Sequence, residues 1–262
     1  MLYCSINGKQ INQLSVKERG FSYGDGLFTT AKINDGNIEM LSMHIKRLKE
    51  GCLKLKIELP NLNKLNEELQ VVASSYNKAV IKVVITAGQG GRGYSRLGTS
   101  SPTVIISVSE FPEHYELWQQ NGINLGVSSL QLGINPMLSG LKHLNRLEQV
   151  LIRQELDNKP EDDLLVTNFQ GHIIETSCAN LFWLIDEQFY TPEIRLSGVA
   201  GLVRDKILLN LPNVKLGEFI LSDIEKAQAM FICNSVMGIV PVKTFNGKLL
   251  SLEKLSVIQS LK

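Results

Sequence analysis

The sequence predicts an α+β protein, and three observations carry that reading. Runs rich in β-branched residues, AVIKVVITAG and TVIISVSE, read as buried strands. The segment from Met40 to Leu55 places apolar residues at 41, 45, 48, 52 and 55, the spacing of an amphipathic helix. Strands and helices then follow one another without the regular alternation that builds a doubly wound parallel sheet. The 262 residues suffice for one large domain or two modest ones with a real core.

Taken in order, the chain opens as strand, turn, strand: LYCSI, then Asn7-Gly8, then KQIN, with Asn-Gly supplying the positive φ angles of a tight hairpin. The Met40–Leu55 helix is closed by Pro60, and a second helix is expected from Leu62 to Ala73. The two β-branched strands follow. EFPEHYELWQQNG reads as a connector. The second half begins with the strand INLGVSS, a loop rich in Gly, Pro and Ser, and a helix from about Asn145 to Leu156. Short strands are expected at DLLVTN, HIIETS, NLFWLI and QFYTP. A glycine-flanked helix starts within SGVAGLVRDKILLN, AMFICN is a strand, TFNGKLL is a second Asn-Gly hairpin, and a short helix ends the chain. This divides the protein into an N-terminal α+β domain over 1–110, a connector over 111–122 and a C-terminal α+β domain over 123–262 that carries Lys142.

Composition excludes several function classes. A net charge of +1 gives no general attraction to nucleic acid or anionic membrane. There is no apolar run of transmembrane length, and MLYCSINGKQ has no signal-peptide pattern, so the expectation is a cytoplasmic protein. The four cysteines (4, 52, 178, 233) form no CxxC and read as reduced thiols. The histidines at 44, 114, 143 and 172 form no HExxH, so no metal site is expected. No GxSxG elbow is present, and TAGQGGRGYS lacks the Lys-Ser/Thr ending of a phosphate-binding Walker loop.

The residue that draws attention is Lys142, in GLKHLNRLEQ, at the mouth of a helix and behind the Gly/Pro/Ser loop. By type alone a lysine there is most often a solvated cation. If its amine is kept neutral, it can instead attack a carbonyl, and the usual carbonyl cofactor is pyridoxal phosphate. That cofactor needs a carboxylate opposite its pyridine nitrogen and a cradle for its phosphate. Glu175 is the candidate acid; strand alternation puts it on the same side as Ile173. Arg47, the backbone around GVAGLVRD, and Asn234 with Ser235 are candidates for the cradle. Arg47 reads equally well as part of a solvated helix face, since Lys46 and Lys49 flank it.

The ordered set YGDGLFTT, MHIKRL, GGRGYS, GLKHLNRLEQVL, ETSCANLF, GLVRD and ICNSVMGIVPV resembles the fold-type IV pyridoxal-phosphate enzymes over nearly the whole chain. That group contains the D-amino acid and branched-chain aminotransferases and the aminodeoxychorismate lyases. The resemblance implies a two-domain fold of the D-amino acid aminotransferase type, a pyridoxal 5'-phosphate cofactor and a homodimer. It makes Lys142 the lysine that carries the cofactor, Glu175 the partner of the pyridine nitrogen and Arg47 a phosphate ligand. The main chain at Leu202 and Val203, and Asn234-Ser235, match the remaining phosphate contacts. Thr30 matches a threonine near the reacting carbon. Arg92 and Tyr94, in GGRGYS, match a loop that helps recognise substrate carboxylates and that related enzymes can take from the partner subunit, and Tyr23, in YGDGLFTT, is a further substrate-binding candidate. Within the group the chain is most similar to the lyase branch, which converts 4-amino-4-deoxychorismate to 4-aminobenzoate and pyruvate for folate synthesis. Gly238 replaces an acid common in the transaminases, and KHLNR lacks the tyrosine that follows the lysine in branched-chain enzymes. A D-amino acid or branched-chain aminotransferase of the same fold is the alternative.

Overall fold

The computed structural model describes residues 1–211 and 213–255. The chain forms two compact units. The first takes Met1–Pro112 together with Lys142–Asn145; the second takes Glu113–Leu141 and the chain from Arg146 on. Among the described residues, no helix is long and apolar enough to cross a membrane, and no cluster of three metal-capable side chains occurs.

The first unit is an antiparallel sheet in the order Tyr3–Ile6, Thr103–Glu110, Lys78–Thr86, Gly26–Asn34, Asn37–Ile38. In Lys78–Thr86 the alternation is plain: Ala79, Ile81, Val83 and Ile85 are buried, and the intervening side chains point the other way. The helices Leu41–Leu55 and Leu62–Ala73 contribute Leu48, Leu65 and Leu69 to the same core. Asn61 caps the second helix, its side chain accepting from Lys64 N. Truncating one of these fully buried leucines or isoleucines to alanine costs about 2–5 kcal/mol.

Gly26–Asn34 is a strand that the sequence reading did not pick out. It buries Leu27, Thr29, Ala31 and Ile33 on one face and turns Phe28 and Thr30 to the other. Lys142–Asn145 lies along its first residues: Phe28 N donates to Lys142 O (2.9 Å), Leu144 N to Gly26 O (3.0 Å), and Asn145 Nδ2 to Gly24 O (3.1 Å). These bonds group Lys142 with the N-terminal unit, whereas the sequence division had placed it in the segment 123–262.

The opening hairpin is shorter than expected. Ile6 and Lys9 exchange backbone hydrogen bonds across the Asn7-Gly8 turn, but no strand continues through Ile11, which is 48% exposed and has no apolar face to bury. Gly88, Gly90 and Gly93 carry dinucleotide-loop spacing, yet they lead into a ribbon of two short strands, Gly90–Arg92 and Ser95–Thr99, and not into a helix.

The second unit is a mixed sheet in the order Ile173–Thr176, Asp163–Thr167, Ile123–Val127, Gly238–Phe245, Ala229–Asn234, Asn180–Ile185, Gln188–Pro192, Lys215–Gly217. Its core includes Leu125, Leu165, Trp183, Ile232 and Val240. Helices Leu147–Leu156 and Leu202–Asn210 are present. The expected connector contains the helix His114–Asn121, tied to this unit where Gln119 Nε2 donates to Met237 O. The Asn246-Gly247 hairpin forms, with φ of 46° and 77°. Of the expected closing helix, Glu253–Leu255 makes a single 3-10 turn, and 256–262 lie outside the described residues.

Candidate active site

The N-terminal unit assembles a set of cations around one strand face. Phe28 and Thr30 share the outward face of Gly26–Asn34. Lys142, half-buried, brings Nζ 4.7 Å from the Phe28 ring centroid, and Lys82 on the neighbouring strand, in register with Thr30, brings its own Nζ to 4.7 Å. Desolvation lowers the Lys82 pKa, although the residue remains exposed overall. Lys82 went unnoticed in the sequence, where it is one lysine in a strand.

On the opposite strand face, Thr29 Oγ1 lies 2.6 Å from His44 Nδ1, and both residues are 2% exposed. Burial, then the charges of Arg47 and Lys142, hold the His44 pKa down to about 3, so its imidazole is neutral at pH 7. His44 Nε2 is buried without a hydrogen-bond partner among the described residues. Arg47 sits one turn on from His44 and is half-buried, while Lys46 and Lys49 are exposed. A neutral imidazole thus sits within the influence of the Arg47 and Lys142 charges, although Lys142 itself stands over Phe28 on the other face of the strand.

In the C-terminal unit, Glu175 is 5% exposed and its Oε2 accepts from Val199 N at 2.9 Å. The pairing with Asp163–Thr167 shifts register between Ile173 and Glu175, so simple alternation does not describe this strand, and all four of its residues are buried. Gly198, at φ 85°, lets Val199 come this close: a Cβ there would stand 2.6 Å from Ile174 Cγ2 and 3.3 Å from Glu175 Oε2. The Glu175 charge also reaches Arg146, whose pKa burial lowers while Glu175 and Glu148 act to raise it. Arg146 Nη2 donates to Leu141 O. Behind Glu175, the fully buried Asp163 pins the turn by accepting from Ser177 Oγ (2.5 Å) and Leu164 N (2.8 Å).

Leu202 and Val203 open the helix Leu202–Asn210, whose cap residue Gly201 makes no side-chain capping bond. Its first-turn N–H groups are the kind that bind anions. Asn180 Nδ2 holds Val199 O at 2.9 Å, fixing the approach to this helix beside Glu175. Asn234 uses its side chain to build its own turn: Oδ1 accepts from Val236 N and Met237 N (2.9 Å each), and Nδ2 donates to Cys178 O. Its neighbour Ser235 is half-buried.

Tyr23, Arg92 and Tyr94 form a separate group at the surface. Tyr94 is 90% exposed, Tyr23 is 39% exposed, and their rings lie 5.6 Å apart. Arg92 is exposed on the ribbon. Lys142, Thr30 and Arg47 thus gather in one unit, and Glu175, Leu202, Val203 and Asn234-Ser235 in the other. Taken separately, the cations of the N-terminal unit, and the buried carboxylate and helix start of the C-terminal unit, are donor and acceptor types that a phosphorylated pyridine aldehyde would need.

The chain matches the amino-transferase class IV family over residues 26–245. It is 41% identical over 242 residues to the aminodeoxychorismate lyase of Vibrio harveyi, covering 90% of this chain and 89% of that protein. It is 28% identical to a putative branched-chain-amino-acid aminotransferase of Methanocaldococcus jannaschii, over 94% of this chain and 88% of the other. The crystal structure of 4-amino-4-deoxychorismate lyase from Pseudomonas aeruginosa superposes with a TM-score of 0.91 at 32% identity, covering 98% of this chain and 97% of that one.

Proposed function

Because the chain belongs to the amino-transferase class IV family, we propose that it is a pyridoxal-phosphate-dependent lyase converting 4-amino-4-deoxychorismate to 4-aminobenzoate and pyruvate, within folate biosynthesis. The observation that carries this reading is the likeness to the Vibrio harveyi lyase, which extends over nine-tenths of the chain. The protein works in the cytoplasm as a homodimer.

Bound pyridoxal phosphate supplies an electron sink in conjugation with the substrate's amino group. Lys142 would carry it covalently. Arg47, the N–H groups of Leu202 and Val203, and the Asn234-Ser235 turn hold its phosphate. Glu175 would pair with the pyridine nitrogen, its carboxylate held in place by the Val199 N–H bond.

The remaining work is proton transfer. Once freed, the Lys142 amine takes the proton from the ring carbon bearing nitrogen. As an ammonium it returns a proton toward the departing enolpyruvyl oxygen, with the Thr30 hydroxyl as relay. The bond between ring carbon and that oxygen breaks, the ring becomes aromatic, and the enol released becomes pyruvate. The substrate carries two carboxylates. Lys82, beside Phe28 and Thr30, is a counter-charge for one. Arg92, with Tyr23 and Tyr94, serves the other, in its own or the partner subunit's site, since a guanidinium can hold a carboxylate through two hydrogen bonds.

The test is purified protein with aminodeoxychorismate, followed by 4-aminobenzoate fluorescence. Aminobenzoate and pyruvate in equal amounts are expected. Keto acid formed from a D- or branched-chain amino acid, with no aminobenzoate, would make the protein an aminotransferase instead.

A further inference from the structure

We propose that Arg19 is a positioning residue for substrate recognition: its guanidinium holds the tip of the Gly90–Ser95 ribbon, and so fixes where Arg92 and Tyr94 stand. The inference rests on the substrate-binding role given to those two residues above.

The ribbon tip has little reason to be ordered by itself. It is exposed, glycine-rich and only a few residues long, and a lone two-stranded ribbon is marginal in water. Arg19, by contrast, is 2% exposed. Its Nη1 donates to the carbonyls of Gly90 (3.3 Å), Gly93 (3.2 Å) and Ser95 (3.1 Å), and its Nη2 to that of Tyr94 (3.3 Å). The tip is therefore wrapped around one guanidinium. The wrap requires glycine at 91, where φ is 77° and a Cβ would lie 2.9 Å from Arg19 Nη1. The same guanidinium lies 4.8 Å from the Tyr23 ring centroid, and Tyr23 packs on Tyr94. Tyr23 and Tyr94 are thus tied to Arg19 directly, and Arg92 stands between carbonyls that Arg19 holds on either side.

Arg19 is itself held. Its Nε donates to Asp25 Oδ2 at 2.8 Å, and Asp25 also receives Arg96. Burial acts to raise the Asp25 pKa, but bonds and charges from the two arginines leave it lowered overall, so the carboxylate stays ionised. Arg96 Nη1 goes on to Leu55 O (2.8 Å) and Lys56 O (3.0 Å), at the end of the helix that carries Arg47. Next to Arg19, the buried Glu18 accepts from the hydroxyls of Thr86 and Thr103, which fixes the base of the clamp. A lysine at 19 would keep the charge but lose the planar fork that reaches several carbonyls at once.

The experiment compares Arg19→Lys and Asp25→Asn with the unaltered holoenzyme. Hydrogen exchange over residues 88–99 reads the tip without any substrate; steady-state kinetics with aminodeoxychorismate read recognition; cofactor absorbance and circular dichroism check the rest. Exchange over 88–99 is expected to quicken about tenfold or more as the tip opens locally. KM is expected to rise about tenfold with kcat within about threefold, the pattern of lost binding rather than lost chemistry. Unchanged exchange in a folded variant overturns the clamp. Faster exchange with unchanged KM retains the clamp but overturns its part in recognition. If the unaltered enzyme makes no aminobenzoate, the lyase reading fails, while the exchange result still decides whether Arg19 orders the tip. If Arg19→Lys does not fold, Arg19→Gln, which keeps a donor but loses the charged fork, is read by the same exchange: a faster tip supports the clamp and an unchanged one overturns it.

Discussion

In the N-terminal unit the candidate chemistry stands on side chains: the amines of Lys142 and Lys82, the Arg47 guanidinium, the His44 imidazole and the Thr30 hydroxyl. In the C-terminal unit, beyond Glu175, it stands largely on main-chain N–H groups, at Val199 and at the start of Leu202–Asn210. The contrast separates two kinds of vulnerability. A side-chain function disappears with one substitution. A main-chain function survives most substitutions that leave the backbone in place.

Lys142→Ala is the sharpest break. It should lower turnover on the order of 10³-fold or more, the scale of a lost covalent role, measured as aminobenzoate formation. Borohydride treatment of the unaltered protein should attach the cofactor to the peptide containing Lys142. Turnover at the normal rate in the variant would remove that side of the contrast. The phosphate contacts test it directly. Arg47→Ala should weaken cofactor binding by about tenfold or more, since charged hydrogen bonds contribute roughly 1.5–3 kcal/mol. Val203→Ala keeps its N–H and should stay within about threefold by the same reasoning. Equal losses in spectroscopic cofactor titrations would mean that the two kinds of contact do not differ.

The last expected effect concerns His44. In the unfolded chain its imidazole protonates near 6.5, but in the fold only near about 3. Between those values the unfolded chain binds the extra proton, so stability falls as pH falls through the window. His44→Gln removes this contribution. Relative to that variant, the cofactor-free protein should lose up to about 1.4 kcal/mol per pH unit on acidification below 6.5, read by denaturant unfolding. Parallel stability curves would place a protonated His44 in the folded state.

Periodicity made much of the scaffold legible. Leu62–Ala73 has the predicted bounds, and the long helix begins one residue inside its predicted start, because their apolar stripes face one core. The strand Gly238–Phe245 was not legible, because it contains Pro241, a residue that usually argues against an interior strand. Gly26–Asn34 was hidden for another reason: Gly26, two threonines and Lys32 dilute its apolar face, and only pairing with Lys78–Thr86 makes it central. At the site, residue type and order pointed to Lys142, Glu175 and Arg47. The positions of Lys82, His44, Arg146 and Arg19 came only from contacts between segments far apart in sequence, which no local spacing records. The bulge before Glu175 was likewise invisible, because it depends on the register of a neighbouring strand.

The short run from Lys142 to Asn145 has a consequence for how this protein can be made and cut. It supplies part of the edge of a sheet whose other strands end at residue 110. During synthesis that edge stays bare until some thirty further residues have left the ribosome. A fragment ending at Pro112 would carry the gap permanently, with the amides of Phe28 and its neighbours open to pairing with a second fragment. Dissection of the chain into independently expressed halves is therefore expected to give a sticky N-terminal piece, cured by adding back a peptide that contains GLKHLN.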